Sequence, residues 1–112
     1  MSFRPFRGAK SLKRKSPKES DAELEEVLGS SGRLRILKYL IKNPTNEPAL
    51  TVSRLKILTG LRRGNVEKHL ETLVKWGWVE EIPIDGGRKY KLKKENPRLD
   101  ALVRFFRDVG YI

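Results

Sequence analysis

Two clusters of side chains in this sequence carry recognition chemistry. Arg62, Arg63, Gly64 and Asn65 are consecutive and are followed by Glu67, Lys68 and Thr72. A guanidinium presents a planar fork of donors that grips phosphate, or the O6 and N7 edge of guanine, through paired bonds, and an asparagine amide pairs with adenine. In the second cluster, Lys89, Lys91 and Lys93 alternate with Tyr90 and Leu92 behind Arg88. On an extended chain this alternation turns the cations to one side and the apolar groups to the other. The hydroxyls of Thr51 and Ser53 are further donors of the kind that contact a phosphate backbone. Covalent chemistry has no comparable signature. There is no cysteine, the single histidine, His69, has no nucleophile beside it, and no glycine-rich loop could cradle a phosphate. No catalytic residue, metal site or cofactor is therefore expected.

The whole chain has the same bias. Its 112 residues carry a formal net charge of +11, and 35% of them are charged. A balance this basic points to a polyanionic partner, and one domain with one core is the natural reading of the length. No apolar run approaches the roughly 18 to 20 residues that span a bilayer, and the N-terminus lacks the apolar middle of a secretory signal, so a soluble, intracellular protein is expected. Abundant charge without glutamine or cysteine is also the composition of thermophile proteins. Residues 1–19 hold seven basic side chains against Glu19 alone, with Phe3 and Phe6 interleaved. Such a segment reads as a disordered tail, either a nucleic-acid-binding arm or a solubilising extension.

The elements that must position the two clusters follow from periodicity. Ser20 to Glu23 reads as a helix start, with Leu24, Val27 and Leu28 as its apolar face. After the break at 29–32, Leu34, Leu37, Leu40 and Ile41 mark a second helix to about Asn43. A very short strand at Ala49-Leu50 precedes Thr51, placed to cap a third helix over 52–59 with Val52, Leu55, Ile57 and Leu58 apolar. Gly60 supplies the reversal into a fourth helix, 62–76, whose stripe is Val66, Leu70 and Leu73. Segments 78–84 and 88–93 form a two-stranded ribbon around Asp85-Gly86-Gly87, with Arg88 at its tip. A last helix from Asn96-Pro97 carries Leu99, Leu102, Val103, Phe106 and Val109 and ends at Gly110.

Helical geometry turns Gly64, Lys68 and Lys75 away from the stripe of the fourth helix, with Glu71 and Thr72 close by and Asn65 and Glu67 on the flanks. Gly64 either lets the backbone approach a ligand or weakens the helix. His69, beside Leu70, reads as a packing residue, and Glu71 as the i,i+4 partner of Lys75. Glu67 repels phosphate, although a glutamate can accept from cytosine N4.

The order helix, helix, short strand, helix, turn, helix, hairpin, helix resembles the winged helix-turn-helix of the ArsR and MarR classes of prokaryotic and archaeal regulators. Leu28 to Leu37 is similar to the ArsR second-helix signature, Leu61 to Leu73 to the recognition-helix signature, and Lys75-Trp76-Gly77-Trp78-Val79 to the entry of the wing. The match covers residues 24–93. Arg62-Arg63-Gly64-Asn65 departs from the serine and threonine usual there, and the missing cysteines remove the metal-sensing chemistry of many ArsR-type proteins. The resemblance implies a mainly α fold with a small β wing and three parts: the tail 1–19, a DNA-binding domain 20–95 and a C-terminal helix 96–112.

The function so implied is regulation of transcription through double-stranded DNA, by a cytoplasmic, nucleoid-associated protein. Arg62, Arg63, Gly64, Asn65, Glu67, Lys68 and Thr72 would meet the major groove, which admits one α-helix, and Arg88, Lys89, Lys91, Lys93, Thr51 and Ser53 the backbone and minor groove. The apolar face Leu99, Leu102, Val103 and Phe106 suggests a homodimer, or else packing on the chain's own first helix. The transcription machinery is a further partner that such a regulator would meet. Two rival readings are a sequence-tolerant DNA-coating or replication-associated protein and a winged-helix protein-interaction module.

Overall fold

The computed structural model describes residues 17–112, with side chains described from residue 22 onward. Up to residue 16 the basic tail lies outside the described residues. Helix α1, Pro17–Leu28, begins three residues before the expected cap at Ser20. Proline suits a first helical position, where the missing N–H would have had no partner in any case. Val27 of α1 is buried, whereas Leu24, expected on the same face, is exposed and Glu23 is buried instead.

Helix α2, Ser31–Lys42, starts where the Ser30 hydroxyl accepts from the Arg33 amide at 3.3 Å. It ends at Asn43, which adopts a left-handed φ of 37° and donates its N–H to the Tyr39 carbonyl. Its buried residues are Gly32, Ile36, Leu37 and Leu40. Ile36 was missing from the expected stripe, and Leu34 and Ile41 lie at the margin of the core. Strand β1, Leu50–Thr51, leads into α3, Val52–Thr59, which buries Val52, Leu55 and Thr59. Ile57, expected to be inside, is 72% exposed. It stands two residues from Leu55, about 200° around the helix, so it must point the other way.

Helix α4, Arg63–Lys75, buries Val66, Leu70 and Leu73 as expected. Gly77 then turns the chain at φ 78° into β2, Val79–Ile84, and β3, Gly87–Leu92. The hairpin is tighter than its sequence suggested. Ile84 pairs with Gly87, leaving Asp85-Gly86 as the two-residue turn, and only Gly86 needs a positive φ. Nor is the ribbon two-stranded. β1 pairs with β3 through Leu50 with Tyr90 and Thr51 with Lys89, giving the antiparallel order β1-β3-β2.

Helix α5, Arg98–Asp108, is pinned at its start by Asn96. The amide oxygen of Asn96 accepts from Arg98 N at 2.9 Å, and its nitrogen donates to the Gly77 carbonyl at 3.1 Å. Leu99, Leu102 and Phe106 are buried in the same cluster as Val27, Leu37 and Leu70, and Val103 is half-buried. Three of the four residues assigned to a dimer interface are therefore core of their own chain. Burying each such side chain contributes about 1.5–3 kcal/mol, which a marginal small domain recovers within its own fold. The large apolar groups left exposed on α5 and at its C-cap are Phe105 and Val109. No described helix is long and apolar enough to cross a membrane.

Candidate nucleic-acid interface

The connection between α3 and α4 fixes the presentation of the first cluster. The Thr59 hydroxyl donates to the Leu55 carbonyl at 2.7 Å and accepts from Leu61 N at 3.2 Å, while Gly60 adopts φ 76° and donates to the Lys56 carbonyl. Arg35 of α2 reaches the Thr59 carbonyl at 3.5 Å from the other side. Three residues, 60–62, thus turn α3 into α4, with the Gly60 and Leu61 N–H groups and the Arg62 carbonyl engaged. Ser30 caps α2 and Thr51 caps α3, but the N-cap of α4, Arg62, makes no side-chain cap bond. The first N–H groups of α4 therefore keep their donor capacity for an acceptor outside the chain.

Around α4, Arg62, Arg63, Gly64, Asn65, Glu67 and Lys68 are all exposed. A Cβ added at Gly64 would meet nothing within 4 Å, so no crowding within the chain requires glycine there. Thr72 is half-buried and turns its hydroxyl back to the Lys68 carbonyl at 3.3 Å. Arg63 is held sideways. Its Nε lies 3.5 Å from Glu67 Oε2, and a terminal nitrogen donates to Ser53 Oγ at 3.3 Å. The Thr51 hydroxyl accepts from Arg54 N at 3.1 Å, so its side chain serves α3.

The second cluster stands across a cleft of about 640 Å³ whose walls include Arg63, Glu67 and Glu71 of α4 and Glu81, Arg88 and Tyr90 of the hairpin. Arg88 lies one step from the turn, opposite Pro83, with its Nε 3.4 Å from Glu81 Oε2. Tyr90 is buried, its hydroxyl donates to Glu81 Oε1 at 3.4 Å, and burial holds its pKa above the usual phenol value. Lys89 pairs with Glu47 at 3.6 Å, Lys91 stands opposite Glu80 in the sheet, and Lys93 is exposed.

Behind this surface lie contacts that periodicity did not suggest. Trp78 Nε1 donates to the buried Glu23 carboxylate at 2.7 Å, with Arg98 Nε 3.9 Å from the same group. Trp76 Nε1 donates to Glu26 at 2.7 Å, and Lys75 pairs with Glu26 at 3.6 Å rather than with Glu71. The Trp76 bond, helped by Lys75, keeps the Glu26 carboxyl below its ordinary pKa. His69 packs over Gly32 and takes a bond from the Arg33 guanidinium on Nδ1 at 3.1 Å. Two tryptophans flanking Gly77, each with an indole N–H to satisfy, were the available signal for the acids of α1.

Comparison with solved structures places this arrangement. The transcriptional repressor BigR from Xylella fastidiosa superposes with a TM-score of 0.66 at 20% identity, covering 82% of this chain and 87% of that one. The homodimeric winged helix-turn-helix DNA-binding domain of a possible ArsR-family regulator from Mycobacterium bovis gives 0.62 at 22% identity, over 89% and 94%. A further protein, described as an ArsR family transcriptional regulator, gives 0.59 at 18%, over 87% and 95%. The fold is the winged helix-turn-helix of ArsR-type regulators. No protein-family model and none of the curated proteins matches the chain. In this fold α3 and α4 occupy the place of the helix-turn-helix and the β2–β3 hairpin that of the wing. Among the described residues, no group of three or more histidine, cysteine, aspartate or glutamate side chains could hold a metal ion.

Proposed function

We propose that this protein is a transcriptional regulator that binds double-stranded DNA sequence-specifically as a homodimer, with α4 in the major groove and the wing on the adjacent backbone and minor groove. The observation that carries the reading is the uncapped N-terminus of α4, ringed by exposed Arg62, Asn65 and Lys68, on the same winged framework as Arg88, Lys91 and Lys93. Arg62 and Asn65 supply base readout, Lys68 and the wing lysines supply phosphate contacts, and Arg88 is the candidate for the minor groove. The repressor and the homodimeric DNA-binding domain among the structures this chain resembles support the same use of the fold. A cytoplasmic place on the chromosome follows from that use, as does a role that needs no catalysis.

One observation favours the sequence-tolerant alternative. Arg63 and Arg88, two of the best groups for reading bases, are both engaged within the chain. Selection from a random duplex library at about 150 mM salt, where non-specific phosphate binding is suppressed, separates the readings. An enriched inverted repeat is expected, and Arg62→Ala should relax its consensus at one position per half-site. Duplex retained without any consensus would favour a DNA-coating protein. A failure to retain any duplex would overturn DNA binding and leave the protein-interaction reading.

A further inference from the structure

Arg63 and Arg88 stand on opposite walls of one cleft, and each is held by a carboxylate of its own chain. Arg63 is bracketed by Glu67 at 3.5 Å and Ser53 at 3.3 Å. Arg88 meets Glu81 at 3.4 Å, and Glu81 is itself steadied by the Tyr90 hydroxyl. Side-chain exposures of 58% and 54% in one pair, and 64% and 39% in the other, mean that neither contributes much to folding. Their consequence falls on what else the arginines can bind. A guanidinium bridging a carboxylate has its charge offset and part of its donor fork occupied, so a phosphate must displace the carboxylate or tolerate its repulsion. Among the described residues, Arg62, Lys68, Lys91 and Lys93 make no such pair.

We infer that Glu67 and Glu81 are specificity-determining residues: they hold Arg63 and Arg88 off the DNA backbone and yield them only to a better-placed acceptor on a cognate base edge. This rests on the DNA-binding reading above. A phosphate can also take the fork with two oxygens, but only where the backbone passes in line with it, and elsewhere along random DNA a carboxylate tethered to the same chain competes well. For Arg63 in the major groove, a guanine at the right position offers O6 and N7 together to the fork; for Arg88 in the minor groove, a narrow A·T run offers base acceptors in a strongly negative potential. Non-specific complexes therefore form with the free cations alone, while cognate complexes add the two arginines. Glu71, on the same wall of the cleft, adds repulsion toward any phosphate that enters.

The test uses the full chain and its Glu67→Gln and Glu81→Gln variants on a random-sequence duplex across a salt series. Each arginine freed to contact phosphate steepens the slope of log K against log salt by about 0.9 per bound protomer. Each variant should show that change, bind random duplex several-fold more tightly at about 50 mM salt, and lose discrimination in favour of the selected site. Glu25→Gln makes the same charge change on α1, away from the cleft, and should alter neither quantity. In the double variant Glu67→Gln/Arg63→Ala the gain should vanish. Wild-type affinity and slope in both glutamine variants would overturn the inference, as would a gain that survives removal of Arg63, which would be plain charge repulsion. Absence of duplex binding by the wild-type chain would overturn the DNA-binding reading, and the inference with it.

Discussion

His69 shows what a single side chain contributes beyond filling space. Its ring lies against Gly32, where an added Cβ would come within 2.5 Å of Nε2, and its Nδ1 accepts from Arg33. That bond requires a neutral Nδ1. Partial burial and then the Arg33 charge both push the pKa below the ordinary 6.5. The unfolded chain therefore binds a proton at this residue over a range in which the folded chain does not, and stability rises with pH across that range. His69 should contribute its full share above about pH 6.5 and lose it progressively as the pH falls toward its folded value. Thermal midpoints measured from pH 7.5 down to 5.5 should decline in the wild type and decline less in His69→Gln. Equal declines would remove His69 as the source. Glu26, held below its ordinary 4.5, does not blur this window. Sequence placed His69 at the edge of the buried stripe of α4. It could not name Arg33, because a partner 36 residues away is set by how α2 crosses α4.

At the scale of elements, legibility in the sequence followed the width of a helix's buried face. The stripe of α4 is narrow and regular, and Val66, Leu70 and Leu73 were readable from spacing alone. Helix α2 packs against α1, α3 and α4 at once, so its apolar face is wide, and a single-stripe reading left out the fully buried Ile36. The short strand before α3 was readable to within a residue, but its place in the sheet was not. Two residues carry no register, so nothing in the sequence said that Leu50 and Thr51 would pair with Tyr90 and Lys89 across the chain. The attachment of α1 was the least legible, since it depends on an acid that amphipathic patterning sends to solvent. Glu23 is instead buried, with its carboxylate accepting from the Trp78 indole and close to Arg98. A hydrogen bond to a buried charge is worth about 1.5–3 kcal/mol, more than a neutral one. Trp78→Phe keeps most of the ring and removes the donor, so it should lower stability by about 2 kcal/mol. Urea unfolding would read this as a lower midpoint at unchanged slope, and a change below about 0.5 kcal/mol would show that the indole N–H is not what holds α1 in place.

The whole molecule raises the question of how two recognition helices reach one operator. Leu99, Leu102 and Phe106 are spent on the chain's own core, and Phe106 is further covered by Tyr111 at 4.9 Å between ring centroids. What α5 leaves outside is Phe105 at 60% and Val109 at 59% exposure, bordering a groove of about 410 Å³ whose walls include Leu28, Leu34 and Tyr111. In the dimeric reading, this face meets its copy across a two-fold axis, and two α4 helices then fall about 34–36 Å apart on one side of the duplex. Phe105→Glu sets two carboxylates against each other at that axis while removing little from the core. Light scattering should give a mass near twice 13.0 kDa for the wild type and near 13.0 kDa for the variant. The thermal midpoint of the variant at low protein concentration should stay close to that of the wild type. Affinity for a selected inverted repeat should fall far more than affinity for a single half-site, because only the dimer engages both halves at once. Leu102→Glu gives the contrast, since it places a charge in the core and should unfold the chain. A wild-type protein that is monomeric at micromolar concentration, yet selects an inverted repeat, would move the two-fold contact from α5 to the DNA itself.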